Sequence, residues 1–205
     1  MIFQVFLLSF GISLLGTIPP ATINITVMQL SLTKRAKSAF FLALGAAIID
    51  TTYGAMAVQI QIYLSEQLEF TNYFYLIACI VLLVLGIVSI KAKPDSSEVE
   101  IKDSGKVGFV KGIILGVLNP LAMPFWLGVT TYLQINGLIN LDGGNYWSYI
   151  LGVFLGEITL LIVIIKIGKR FTRVSDNRTI VGILPGIVFI FLAIVNFGQW
   201  LSYYL

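Results

Sequence analysis

Asp50 and Glu157 are acidic residues set deep inside long apolar stretches. Each lies about 13 residues, or roughly 20 Å of helix, from where its stretch begins. An ionised carboxylate at that depth in a bilayer costs at least about 3 kcal/mol, so such a group is paired, neutralised or functional. A medium of low polarity favours the protonated acid, and a cation beside it favours the ionised one. A proton and a cationic substrate therefore compete for one carboxyl group, which is the physical core of antiport. No lysine or arginine lies deep in a stretch to serve either acid as a fixed partner. The alternative role is structural, a protonated acid hydrogen-bonded between helices. Glu157, nine residues from Lys166, fits that role more easily than Asp50 does.

The second chemical feature is a pair of helix breaks. Pro19, Pro20, Pro120 and Pro124 all fall within apolar stretches, and a proline removes a backbone donor and clashes with the preceding turn. Each of these helices is expected to kink or open. In lipid, freed carbonyls are tolerated only where protein or a wet cavity satisfies them. Pro20 precedes Lys34 by 14 residues and Pro120 precedes Gln134 by 14, which puts both breaks about 21 Å from opposite faces. Asn24 and Asn119, with Thr17, Thr22 and Thr26, supply polar side chains beside them. The expected substrate-binding or coupling set is therefore Asp50, Glu157, Asn24, Asn119, Pro19, Pro20, Pro120, Thr17 and Thr22.

Little else in the chain can react. It has no histidine, which removes common zinc, haem and Ser-His-Asp chemistries. The single Cys79 excludes an internal disulfide or a CxxC redox pair and reads as a small apolar residue. No Gly-rich GK[ST] loop points to an ATPase. We expect neither an enzyme nor a cofactor.

The elements that must position the two acids follow from composition. Of 205 residues, 58% are hydrophobic and 11% charged, against roughly 25% charged in a soluble domain. Twenty-three charges cannot coat a soluble particle of this size, so a soluble enzyme, a nucleic-acid binder and a disordered chain are excluded. A bilayer core of about 30 Å needs roughly 20 apolar residues of helix. Six segments qualify: Ile2 to about Leu32, Ser38 to Tyr63, Tyr73 to Ile90, Val107 to Gln134, Tyr146 to Ile165 and Ile180 to Tyr204. The first and fourth exceed a straight span and must tilt, break or overhang. The first has neither a basic n-region nor a small-x-small cleavage site, so it reads as a retained span. Trp147, Trp200, Tyr203 and Tyr204 suit the membrane interfaces, whereas Trp126 lies deeper.

Charge sets the orientation. Lys34, Arg35 and Lys37 lie between spans one and two; Lys91, Lys93, Lys102, Lys106 and Lys111 lie between or beside spans three and four. Lys166, Lys169, Arg170, Arg173 and Arg178 lie between spans five and six, which completes all thirteen cations. The opposite loops carry Glu66, Glu69 and Asp142 and no positive charge. The positive-inside rule places the basic loops in the cytoplasm and both termini outside. The net charge of +3 is then a signal of topology and of contact with anionic lipid heads, not of nucleic acid.

The chain also repeats itself. Gly16-Thr17-Ile18-Pro19-Pro20 lies over Gly116-Val117-Leu118-Asn119-Pro120 at an offset of 100. Leu44-Gly45 with Asp50 lies over Leu151-Gly152 with Glu157 at an offset of 107. The expected organisation is a three-helix repeat over 1–90, a cytoplasmic linker over 91–106 and a second three-helix repeat over 107–205. Three spans is an odd number, so the second repeat is inverted, as in many secondary transporters with a midplane site. The fold class is an all-α integral membrane protein of six transmembrane helices in two inverted repeats, broken at prolines in spans one and four. Glycine pairs such as Gly112/Gly116 and Gly152/Gly156 permit close helix approach.

Three motifs carry a family resemblance. Thr17-Ile18-Pro19-Pro20 stands where a PGP-like motif is expected, Gly45 through Asp50 forms a Gly-rich second span with an acid, and Phe109-Val110-Lys111-Gly112 precedes Asn119-Pro120. Over essentially its whole length the chain resembles the LysE/RhtB type of bacterial amino-acid exporters. The resemblance implies a multi-pass protein of the bacterial cytoplasmic (inner) membrane that moves amino acids outward in exchange for protons. There are two departures. The PGP glycine is replaced, which removes a close backbone approach to ligand, and the lysine common after Asn-Pro is Leu121.

The leading expectation is a secondary exporter of amino acids or related small metabolites driven by proton antiport. Its partners are a small-molecule substrate, protons and the lipid bilayer, with no nucleic acid; a homo-oligomer is compatible with the sequence. A divalent or heavy-metal cation exporter is an alternative with a thin ligand set, two carboxylates and two asparagines. A membrane scaffold without transport is an alternative of another class.

Overall fold

The computed structural model describes residues 1–17, 22–65, 104–119, 122–175 and 183–202, with single positions and short pieces between 76 and 91. Among the described residues the chain is helical throughout, with no strand. Seven helices are α1 (Ile2–Gly16), α2 (Thr22–Leu32), α3 (Ala36–Ser65), α4 (Gly105–Val117), α5 (Ala122–Ile135), α6 (Gly144–Ser175) and α7 (Leu184–Ser202). Several, α1 above all, are apolar on every side, as a helix is when both its neighbours and its solvent are apolar. Phe3 and Trp147, for example, are 71% and 66% exposed.

Among the described residues, two helices are long and apolar enough to cross a membrane unaided, Ala36–Tyr63 within α3 and Gly144–Ile167 within α6. The pair α4 and α5, bent by 64°, is a third crossing if the two are read as one broken span. The shorter α1 and α2 lie within the expected first span. Helices thus end at Gly16 and Val117 and resume at Thr22 and Ala122. Pro19, Pro20 and Pro120 lie outside the described residues. Pro124 departs from expectation: it sits in the first turn of α5 and breaks nothing. In that turn the backbone N–H has no intrahelical acceptor, so its loss is harmless.

The packing of these helices is governed by glycine and serine. A Cβ on Gly112 of α4 would strike the carbonyl of Leu42 in α3, and one on Gly45 would strike that of Phe109. On the other side, a Cβ on Gly152 of α6 would strike the Ser9 side chain, and one on Gly156 would lie 2.5 Å from the Phe10 carbonyl oxygen. Ser13 Oγ donates to the Val153 carbonyl at 2.7 Å and Ser148 Oγ to that of Ile2 at 2.8 Å, fastening α1 to α6. Helices that attract weakly in lipid gain from such close backbone approach and cross-helix hydrogen bonds.

Two pairings therefore dominate, α3 with α4 and α1 with α6. The long helices α3 and α6 also meet each other, and both touch α2. Glycine makes a further contact away from these helices. A Cβ on Gly86 would meet Ile190 and the Gly186 carbonyl, and one on Gly186 would meet Ile90 and the Gly86 carbonyl.

The core divides in two. One apolar cluster joins α2, the first half of α3 and the second half of α6, with Val27, Leu42, Ala46 and Leu161 at its centre. The other joins α1, the second half of α3, α5 and the first half of α6 through Val5, Val58, Trp126 and Tyr149. Ile139 and Leu141 from the α5–α6 loop close the second cluster. That loop starts from a tight C-terminal turn, where Leu138 N donates to the Leu133 carbonyl at 2.9 Å and Gly137 takes a φ of 66°.

Candidate functional site

Between the two apolar clusters lie the two acids. Asp50 projects from the middle of α3 and Glu157 from α6, and the two side chains are neighbours. The Trp126 indole of α5 is also a neighbour of Asp50. The triangle is incompletely bonded: Trp126 Nε1 and Glu157 Oε2 are buried atoms with no hydrogen-bond partner. Glu157 is 3% exposed, while Asp50 keeps intermediate exposure. Asp50 is therefore the more exposed of the two acids.

Close to the acids the packing is ordinary. At Gly54, one turn after Asp50, an added Cβ would lie in normal contact, 3.6 Å from Val153 and 3.7 Å from the Trp126 ring. Trp126 also meets Tyr149 edge to face, with centroids 6.2 Å apart and planes at 83°, a favourable aromatic arrangement. Tyr149 OH and Thr130 Oγ1 share a buried hydrogen bond of 2.8 Å. Asp50, Trp126, Tyr149 and Thr130 thus form one polar and aromatic row along α3, α5 and α6.

The remaining expected residues sit at the two helix junctions. Asn24 is 2% exposed, and its Nδ2 donates to the carbonyl oxygen of Thr17, tying the start of α2 to the end of α1. Thr17 Oγ1 is turned back onto the Ser13 carbonyl at 2.8 Å. Thr22 is exposed, and its carbonyl accepts from Thr26 Oγ1 at 2.7 Å. Asn119 follows α4; its backbone N–H donates to the Gly116 carbonyl at 3.1 Å. Ile23, next to Asn24, packs in the apolar cluster that holds Ala46, Ala47 and Ile158, neighbours in sequence of the acids. The structure therefore joins Asp50 to Glu157 and Asn24 to Thr17. Pro19, Pro20 and Pro120 fall outside the described residues.

Three side chains in the row were absent from the expected set: Trp126, Tyr149 and Thr130. The sequence held one signal, since Trp126 lies deep in its span while other tryptophans stand near the interfaces. Nothing comparable marked Tyr149 or Thr130, because their meeting depends on the crossing of α5 and α6.

Long apolar helices around a buried acid pair are the architecture of a multi-pass membrane protein. The chain belongs to the LysE type translocator family, whose model matches residues 5–197. Members of this family carry small molecules across membranes and are not enzymes. No curated protein and no solved structure matches the chain.

Proposed function

We propose that this protein is a secondary exporter of amino acids or related small metabolites across the bacterial cytoplasmic membrane, driven by proton antiport. The observation that carries the reading is the meeting of Asp50 and Glu157 between two apolar seals. Each acid comes from a different half of the chain, and Asp50 is the more exposed of the two. A carboxyl group held there exchanges its proton for a substrate ammonium group, since one site cannot stabilise both at once. Glu157 shares the charge of Asp50 and holds its partner's proton. Opening the cluster around Val27 and Leu161 exposes the acids to one side, and opening that around Val58 and Tyr149 exposes them to the other. The amino-acid substrate class rests on the family resemblance.

The architecture we infer is six spans in two inverted repeats, 1–90 and 107–205, joined by a cytoplasmic linker over 91–106. Spans one and four are broken at Pro19, Pro20 and Pro120, and both termini are extracytoplasmic. Reciprocal contacts support the inversion. The offset of 100 converts the Gly86–Ile190 contact into Gly186–Ile90, as a two-fold axis between antiparallel helices requires. The offsets of 107 and 100 likewise carry Gly45–Phe109 onto Gly152–Ser9. Asn24, Asn119, Thr17 and Thr22 flank the breaks, where half-helix ends offer backbone groups to a substrate.

The test is transport by purified protein in liposomes loaded with a panel of radiolabelled amino acids, with and without an imposed pH gradient. Gradient-driven movement of a subset is expected, with Asp50→Asn losing the gradient dependence and Glu157→Gln weakening it. If wild type and Asp50→Asn move every compound equally, the coupling role of Asp50 is wrong.

A further inference from the structure

Beyond the acids, at the end of the bundle away from Lys34 and Lys37, four more buried oxygens lack a partner. They are Gln61 Oε1 of α3, Thr131 Oγ1 and Gln134 Oε1 of α5, and Asn145 Oδ1 of α6. Gln61 and Asn145 are each 8% exposed and Thr131 is 5% exposed, so bulk water does not satisfy them. Unsatisfied buried polar groups are costly, and several at one level call for a common occupant.

Helical register puts them at one level. α6 runs antiparallel to α3 and α5, and Thr130 of α5 is bonded to Tyr149 of α6. Asn145 is one turn beyond Tyr149, Gln134 one turn beyond Thr130, and Gln61 one turn beyond Ala57 and Val58, which share a cluster with Tyr149. Gln61 is 11 residues, about 16 Å, along α3 from Asp50. The order from the acids outward is therefore the Trp126 indole, the Tyr149–Thr130 hydroxyl pair and then the amide layer. Over this layer lies the loop that carries Ile139 and Leu141.

We propose that this layer holds ordered water and that, with the Tyr149–Thr130 pair, it is the route by which Asp50 exchanges protons with the extracytoplasmic side. The proposal rests on the antiport reading for its purpose and on the buried oxygens for its place. A buried water needs two to four polar partners, which the two glutamines, Asn145 and Thr131 supply. A second water beside Trp126 Nε1 bridges Tyr149 to Asp50. One proton leaves bulk water at that end and one arrives on the Asp50 carboxylate. Each hydroxyl passes on its own hydrogen as it accepts the next, so Thr130 and Tyr149 end uncharged. The titratable groups along the route on the packed helices are Glu157, Tyr149 and Asp50 itself, with Tyr53 and Tyr146 packed against the same cluster, while Asp142 of the covering loop is exposed. Substrate, too bulky for a hydroxyl pair, needs the seal opened; a proton does not.

Two measurements test this, and the first needs no substrate. Radiolytic hydroxyl-radical footprinting labels buried side chains that touch bound water. Tyr149 is expected to be oxidised despite its burial, while equally buried Leu161 is spared. Labelling of Tyr149 is expected to fall about tenfold in Gln61→Leu/Asn145→Leu, and Thr131→Val, nearly isosteric, provides a milder version. Exposed Trp147 reports on folding. An unlabelled Tyr149 in wild type, or labelling unchanged in the variants, overturns the hydrated layer.

The second measurement compares transport modes in liposomes for any amino acid that wild type moves. Gradient-driven export is expected to slow about tenfold in the variants, equal to about 1.4 kcal/mol of barrier. One-for-one exchange of labelled for unlabelled substrate, which moves no net proton, is expected to continue. Equal loss of both modes means that the layer serves substrate and overturns the proton route. If wild type moves no panel compound, the antiport reading has failed, and footprinting alone still decides whether the layer is wet.

Discussion

Replacing Gly152 by alanine adds one methyl group where α6 crosses α1. That methyl would collide with the Ser9 side chain and would lie 2.7 Å from the Phe6 carbonyl oxygen and 3.0 Å from the Phe10 nitrogen. Ordinary contact begins near 3.4 Å, so the two backbones must separate by about 0.7 Å over that turn. Rotation of Ser9 relieves only part of this, because the Phe6 carbonyl is backbone and cannot turn away. Separation also strains the 2.7 Å bond from Ser13 to the Val153 carbonyl, one turn along the same seam. Overpacking of this kind costs about 1–3 kcal/mol, against a helix-propensity gain of about 1 kcal/mol from glycine to alanine. Gly11 is the control, since a Cβ there meets nothing within 4 Å and Gly11→Ala collects the propensity gain alone. The two variants should therefore differ by about 1–3 kcal/mol in unfolding free energy. Equilibrium unfolding in mixed detergent micelles measures this, with Ser9→Ala/Gly152→Ala expected to recover part of the loss. Equal midpoints for Gly152→Ala and Gly11→Ala would refute the close α1–α6 seam and the helix pairing built on it.

Further outcomes follow from the buried polar contacts. Tyr149→Phe and Thr130→Val should each destabilise by about 1–2 kcal/mol by orphaning the partner hydroxyl, and the double variant should lose less than their sum. A double-mutant cycle in the same unfolding assay reads that coupling, and strict additivity would count against the shared bond. Asn24→Leu should cost about 1–3 kcal/mol because the Thr17 carbonyl loses its donor, whereas Asn24→Gln is expected to recover little, its amide being displaced by one methylene. Protease sensitivity between α1 and α2 checks it, with cleavage expected to rise in both variants.

Much of the molecule was legible in one dimension because lipid enforces simple rules. Asp50 and Glu157 stood out through depth alone, and the structure brings them together. Gly112, Gly152 and Gly156 were read as packing residues and lie at the tightest helix crossings. Pro124 was misjudged because a proline's effect depends on its position in the turn, which apolar patterning does not reveal. Asn24 was placed beside a break, but its use as a tie across the α1–α2 junction required the geometry. Trp126, Tyr149 and Thr130 were missed because aromatic and hydroxyl residues are ordinary in apolar spans until a neighbour gives them a partner.

Composition and spacing alone mark this as a membrane protein, and they locate its charges and its costly acids. Those properties follow from the transfer free energies of single residues and short helices, which add along the chain whatever its neighbours do. Not legible in one dimension were the lie of α1 on α6 and of α3 on α4, the meeting of the acids between two apolar clusters, and the alignment of Trp126, Tyr149 and Thr130 beside them. These depend on which helix faces meet. In lipid that choice is made by atom-scale fit, a missing Cβ here and a serine hydroxyl there, and such fit is a property of pairs of segments rather than of either one.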